Sequence, residues 1–275
     1  VYKMMRCRFD FKQVLWVSAT LFGNCKRCFP PIGGFRSELG RMGRASLRCE
    51  ASTPPLLALA LAMSSAAAMA QPTLAAEVRT CPGGGATVSG ASPADLSDVC
   101  AGVLSAVKFL ASYGVTPTEP VAIEVTKSIP EEAGPTAAGC YIEQRRRVYL
   151  VPYSTFRKNK TWFGVDINRE LFRALAAHEA AHAVGACNFK IPNPTIQAKE
   201  YLAYVTMFAV MPTDLRRKAL REVKTEGFAS LDRFTPLLYS FDPMRFGAEA
   251  YRHFSAAPDQ STIVQSLLEG RVLQD

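Results

Sequence analysis

Residues 167–184 read INRELFRALAAHEAAHAV, and this stretch decides the fold. Its apolar side chains recur at helical spacing, which predicts a helix with one packed face. His178 and His182 stand four positions apart, so their imidazoles project from one face of that helix, one turn from each other. Glu179 lies about 100° round the helix from His178. Two imidazoles at this spacing are typical of a metal site at which the glutamate reaches a water on the metal.

A catalytic zinc site usually takes three protein ligands and leaves a fourth position open. Glu200 is the first candidate for the third ligand, because the predicted helix 194–211 places it among apolar side chains. A carboxylate on an apolar face is costly to bury unless it is paired or bound to a metal. His253, the only other histidine, stays an alternative ligand, as does Asn188, which occupies the last position of the pattern HExxHxxGxxH.

The sequence HEAAH, with a glutamate on the next helix, resembles the zincin metallopeptidases and more narrowly their gluzincin branch. It is also similar to small secreted bacterial proteins that carry HEAAH and have no assigned function. The resemblance spans about residues 120–210. It implies a Zn²⁺ ion held by His178, His182 and Glu200, with Glu179 as general base in the hydrolysis of a peptide or protein substrate.

The same resemblance implies a mixed sheet whose edge strand lines the cleft, and the strand around Arg147–Val151 is the expected edge. A peptide substrate adds to such an edge as a further strand. Tyr204 and His253 are candidates to stabilise the oxyanion, with Tyr201 and Tyr251 as alternatives between which the sequence does not choose. A non-catalytic exported binding or structural protein on a zincin-like scaffold is the alternative function, and a metal hydrolase acting on another bond is a third.

The predicted fold class is α+β, as a single zincin-like domain over residues 92–275. An early helix begins at Ser92, whose side chain and the following Pro93 are typical of a helix start. Residues 121–126 alternate in hydrophobicity and predict a strand, and residues 140–151 predict a hairpin. The C-terminal half is mainly helical, with predicted helices at 167–184, 194–211, 213–224, 243–254 and 259–269.

An apolar, charge-free run at Pro54–Ala70 ends in Ala-Met-Ala, with arginines upstream. This layout is typical of a secretory signal peptide, which we predict at residues 42–70 with cleavage between Ala70 and Gln71. Residues 1–41 are then expected to be a disordered extension that precedes the true start at Met42. Residues 71–91 are rich in Gly, Pro and Ala and are expected to form a flexible lead-in. The mature protein is expected to be periplasmic or secreted, with no stable membrane anchor.

The formal net charge of the whole chain is +8, which suggests an acidic partner. Residues 1–70 hold ten basic and three acidic residues, so their removal lowers the charge to +1 and withdraws that suggestion. The basic series in the predicted helix 213–224 is most simply a solvated face, with a polyanion or membrane surface as the alternative. We expect the protein to be a monomer. We also expect it to bind no nucleic acid, because no basic run is interleaved with aromatic residues.

Four cysteines remain after removal of residues 1–70. An even number in an exported chain predicts two disulfides, and four cysteines allow three pairings. Proximity in sequence favours Cys81–Cys100 and Cys140–Cys187.

Overall fold

The computed structural model describes residues 77–131, 137–225 and 227–274. The expected N-terminal extension 1–41, the signal peptide 42–70 with its cleavage site, and residues 71–76 of the lead-in lie outside these residues.

Helix α1 (Pro93–Ala111) is the predicted early helix. The side chain of Ser92 accepts a hydrogen bond from the backbone N–H of Asp95 at 3.1 Å, so the predicted cap is confirmed. Val99, Val103 and Leu110 lie on the buried face of the helix, as their spacing predicts.

A mixed sheet of short strands lies beside the helices. Its strands are β1 (Val78–Thr80), β2 (Ala86–Ser89), β3 (Val121–Val125), β4 (Gly139–Ile142) and β5 (Arg147–Leu150), in the order β1-β2-β3-β5-β4. The three inner strands run parallel, and both outer strands pair antiparallel to their neighbours. The predicted α+β class with a small mixed sheet is therefore confirmed.

The prediction that β5 forms the edge of the sheet is wrong. β5 pairs with β3 on one side and with β4 on the other, because the hairpin folds β4 back along its outer side. The edge strand at this end of the sheet is β4.

The described part of the expected lead-in contains strands β1 and β2, where the sequence predicted a loose segment. The glycines at 83–85 indicate a loop, and the short runs beside them carry little periodicity. β2 is stabilised by its parallel pairing with β3, and Val88 stands opposite Ile123, 35 positions along the chain. Because the two strands lie far apart in the chain, this pairing produces no pattern in the sequence around β2 from which the strand could be predicted.

The predicted disulfide Cys81–Cys100 is confirmed, and it ties the β1–β2 turn to α1. The predicted second pair, Cys140–Cys187, is wrong, since neither cysteine takes part in a disulfide. Successive side chains of a strand point to opposite faces, so Cys140 and Tyr141 face opposite ways. Tyr141 is the residue that lies close to Cys187. Burial makes the largest contribution to raising the pKa of Tyr141, and the Cys187 thiol raises it further.

The second half of the fold begins with helix α2 (Tyr153–Phe156) and a small hairpin, β6 (Thr161–Trp162) and β7 (Val165–Asp166). The helices that follow are α3 (Arg169–Ala186), α4 (Ile196–Val210), α5 (Thr213–Glu222), α6 (Pro236–Phe241), α7 (Pro243–Ala256) and α8 (Gln260–Leu268). All were predicted to within two residues at each end except α2 and α6, which the sequence analysis missed. Within the described ranges, no helix combines the length and apolar character needed to cross a bilayer.

Helix α3 runs through the core between α1, α4 and the sheet. Its first turn is tied to α1 by ion pairs from Arg169 to Asp95 at 2.9 Å and to Asp98 at 2.7 Å. Arg173 adds a second contact to Asp98 at 2.6 Å. Both carboxylates are buried, and buried charges are tolerated when they are paired in this way. The pairs hold the motif-bearing helix at a defined position.

Candidate metal centre

Helix α3 presents His178 and His182 on one face, as their spacing predicts. Their Nε2 atoms lie 3.2 Å apart, with the rings nearly perpendicular at an interplanar angle of 84°. The small Ala180 and Ala181 between them are buried in the core. Both imidazoles therefore point the same nitrogen toward one point in space.

Helix α4 brings Glu200 to that point. Its Oε2 lies 3.5 Å from His178 Nε2, and its Oε1 lies 3.4 Å from His182 Nε2. Thr195 caps the helix by accepting a hydrogen bond from the backbone N–H of Ala198, and so fixes where the helix begins. The structure thus brings together the three residues that the sequence selected as ligands.

The donor atoms are spaced as a small divalent ion requires. Zinc bonds to nitrogen and oxygen of about 2.0–2.1 Å, arranged tetrahedrally, place neighbouring ligand atoms about 3.4 Å apart. The two imidazole nitrogens, 3.2 Å apart, are near that spacing, and each carboxylate oxygen of Glu200 lies 3.4 or 3.5 Å from one of them. One ligand atom from each of the three residues lies within 4.8 Å of the others. Glu200 Oε2 is also buried with no hydrogen-bond partner among the described residues, which is costly unless a cation accompanies it.

The charge states of His182 and Glu200 favour metal binding. Burial lowers the pKa of His182 to about 4, so this imidazole is neutral at neutral pH and its Nε2 can donate an electron pair. For His178, burial lowers the pKa but the neighbouring Glu200 outweighs it, and the pKa is raised. For Glu200, burial raises the pKa, but the imidazoles of His182 and His178 outweigh it and the pKa is lowered. Glu200 is therefore a carboxylate.

Glu179 lies beside the cluster and is only 5% exposed. Burial raises its pKa to about 7, and the negative charge of Glu200 adds to the effect. Gly139, at the start of edge strand β4, lies against it: a Cβ atom there would stand 2.8 Å from both Cγ and Oε1 of Glu179. Only glycine leaves room for this carboxyl, and sequence reasoning missed the position because the contact joins a strand to a helix.

Tyr204, one of the candidates from the sequence, lies beside His178 of the cluster. Its ring is tilted against the ring of His178 with centroids 4.5 Å apart. Burial raises its pKa well above the usual value, so the hydroxyl keeps its proton and can donate a hydrogen bond.

Tyr239, on the short helix α6, is a site residue that the sequence analysis missed. Its hydroxyl lies against the carboxylate of Glu200 and helps to lower the pKa of that group. Thr235 caps α6 by accepting from the backbone N–H of Leu238, and Pro236 stands at its first position. This Thr-Pro pair is a helix-start signal that the sequence did offer.

His253 and Asn188 do not join the cluster. His253 Nδ1 is 2.7 Å from the hydroxyl of Tyr201, and its ring packs against Phe234. Asn188 donates through Nδ2 to the carbonyls of Thr116 and Val184 at the end of α3. The alternatives for the third ligand are thus engaged elsewhere, and the cluster of possible ligands contains neither of them.

The cluster is covered on its open side. His178 is 7% exposed and Glu200 5% exposed, so a polypeptide cannot reach them in this conformation. Tyr204 belongs to helix α4, which is packed into the core. Helix α6, which carries Tyr239, is the exception: none of its residues is buried, and Phe241 is 69% exposed.

A family model described as a family of unknown function, DUF6639, matches residues 86–275, which include every residue of the cluster. Neither the search of curated proteins nor that of solved structures found a match.

Proposed function

The chain belongs to the DUF6639 family, and we propose that it is a zinc-dependent peptidase that hydrolyses peptide bonds with a metal-activated water. The observation that carries the proposal is the convergence of His178, His182 and Glu200 on one point with the carboxyl of Glu179 beside it. Two imidazoles and a carboxylate form the ligand set of a catalytic zinc site that keeps one position open.

The mechanism uses the residues in distinct roles. His178, His182 and Glu200 would hold a zinc ion, which would lower the pKa of a bound water and polarise the scissile carbonyl. Glu179 accepts the proton of the water as its oxygen attacks the carbonyl carbon. It then passes that proton to the amine nitrogen as the carbon–nitrogen bond breaks.

Two tyrosines support this chemistry. Tyr204 keeps its phenolic proton and stands against His178, so it is placed to donate to the developing oxyanion. Tyr239 lies against Glu200 and holds this carboxylate in place. The substrate extends along the edge strand β4, since Gly139 at its start borders Glu179.

Substrate access requires helix α6 to move away from the cluster. The short helix is held by Tyr239, which contacts Glu200 and packs its ring against Phe246 at 5.6 Å. Asp242 ends α6 and also caps α7, accepting from the backbone N–H of Arg245 at 3.0 Å, so the hinge sits between the two helices.

We predict that Tyr239→Phe speeds the removal of zinc by a chelator about tenfold. Losing a hydrogen-bonding group on a carboxylate costs about 1.5 kcal/mol, which corresponds to that factor. Zinc loss into excess chelator is followed with a metal-sensitive dye. Tyr251→Phe, on the helix α7 and packed against Phe208, is the matched control and leaves the rate unchanged. Equal rates in both variants and the native protein would contradict the role of Tyr239.

The burial of Glu179 also favours the second candidate function, a non-catalytic binding or structural protein on a zincin-like scaffold. The test is a digest of a broad peptide library by the zinc-loaded full chain, read by mass spectrometry. Cleavage that stops on zinc removal and returns on zinc addition supports the peptidase. Stoichiometric zinc without any cleavage supports the second candidate.

We further propose that the protein is exported. The support is the charge-free run Pro54–Ala70 and the disulfide Cys81–Cys100, since disulfides persist in oxidising compartments. The expected result of N-terminal sequencing is that mature protein recovered outside the cytoplasm begins at Gln71. A mature chain that retains residues upstream of Met42 contradicts the assignment.

A further inference from the structure

A basic depression lies on the surface where the sheet gives way to α3. It has a volume of about 680 Å³ and lies between α2, the turn that follows it and the first turn of α3. Its lining is Tyr153, Ser154, Arg157, Lys158, Lys160 and Arg169. Four of the six lining residues are cations and none is acidic.

One of the four cations is held by acidic partners, and the other three are free to bind a ligand. Arg169 is held by Asp95 and Asp98, and its guanidinium lies over the ring of Tyr153 at 4.2 Å from the centroid. The remaining three cations are exposed, and in the described part of the chain none of them has an acidic partner; they are Arg157, Lys158 and Lys160. Lys160 also adopts a positive φ of 65°, a conformation that costs free energy in a residue other than glycine.

Two arginines of the other basic series, on α5, differ in this respect. Arg217 pairs with Asp214 at 2.7 Å, and Arg216 donates to the backbone carbonyls of Phe208 and Ala209. These arginines therefore have local structural roles. In the depression, three cationic side chains line a cavity without an acidic partner among the described residues.

The depression lies in line with the candidate metal centre. Tyr153 at its wall packs against Phe172 of α3 with ring centroids 5.8 Å apart. Phe172 and Glu179 are seven positions apart, so they share a face of the helix about 10 Å from each other. Arg169 is ten positions from Glu179, or about 15 Å along the axis, a span of four to five extended residues.

We propose that this depression is a subsite for anionic side chains of a polypeptide substrate, four to five residues from the scissile bond. Clustered carboxylates or a phosphate ester on the peptide supply the shared chemistry. Arginine takes such groups through paired hydrogen bonds, and lysine takes them as a point charge. This substrate class rests on the proposed peptidase function, whereas the anion site itself does not.

The test measures binding without turnover. Zinc-loaded Glu179→Gln protein is titrated with three fluorescent peptides of one sequence that carry paired glutamates, a phosphoserine or alanines at the predicted position. We expect the two anionic peptides to bind at least tenfold more tightly than the alanine peptide. We expect the double substitution Arg157→Gln and Lys158→Gln to remove that preference. The matched control, Lys218→Gln with Arg221→Gln on α5, removes the same amount of charge but is expected to keep the preference for the anionic peptides.

Each outcome decides a separate question. Equal binding of all three peptides, or equal loss in the control pair, overturns the subsite, since the attraction is then a general effect of net charge. A stronger effect for phosphoserine than for glutamate assigns the site to phosphate esters, and the reverse assigns it to carboxylates.

The outcomes also separate the anion site from the peptidase function. If the preference is lost only in the Arg157/Lys158 pair but the native protein cleaves no peptide, the anion site is supported and the peptidase function is contradicted. If native protein cleaves peptides without regard to the anionic position, the site is not a substrate subsite.

Discussion

Glu179→Gln is expected to abolish peptide hydrolysis while leaving zinc stoichiometrically bound. The amide keeps the shape of the carboxyl but cannot accept the proton of the attacking water, and loss of a general base typically costs about 10²–10⁴-fold in rate. Zinc stays because Glu179 lies outside the cluster formed by His178, His182 and Glu200. Folding is also expected to persist, since a neutral amide removes a charge from a buried position next to Glu200.

The measurement is kcat/KM on the best substrate from the library digest, with zinc content determined on the same sample. Glu170→Gln is the matched control, because it makes the same change in the first turn of the same helix at an exposed position. It is expected to keep native activity. Turnover retained in Glu179→Gln, or zinc lost from it, would show that the residue is not the base.

The cluster of His178, His182 and Glu200 could be predicted from the sequence because its signals are local. His178 and His182 are one helical turn apart, and helical geometry alone brings their imidazoles together. Glu200 was predicted from a different signal, which is a single carboxylate on an apolar face of the next helix. The cap at Ser92 likewise depends on neighbours within four residues, so the start of helix α1 was predicted closely.

The parts that escaped prediction depend on contacts between distant residues. Gly139 matters because its strand passes over Glu179, 40 positions later, and nothing next to Gly139 in sequence reveals this. The identity of the edge strand is a property of the whole sheet, so both strands of the hairpin at 140–151 were predicted, but the wrong one was assigned to the edge. His253 shows the converse error. It was considered for the site because histidine is rare in the chain, whereas its partner is Tyr201.

His178→Ala and Glu200→Ala are each expected to abolish stoichiometric zinc binding. Removing one of three protein ligands takes away about a third of a binding free energy on the order of 12 kcal/mol, which weakens affinity roughly 10³-fold. Zinc per chain is measured by elemental analysis after dialysis against a weak chelator. The same analysis identifies the ion, since two histidines and one carboxylate also suit iron.

His253→Ala separates the two choices for the third ligand. The alanine removes the hydrogen bond to Tyr201, so we expect a modest loss of stability, about 1 kcal/mol, with zinc fully retained. The opposite pattern, zinc kept in Glu200→Ala but lost in His253→Ala, would mean that α7 moves to supply a histidine on metal binding. Because the ring of His253 packs against Phe234 with centroids 5.7 Å apart, such a move would expose that cluster, and circular dichroism of the aromatic groups would change when zinc is added. A zinc titration of the native protein that leaves those signals unchanged therefore supports Glu200 independently of any substitution.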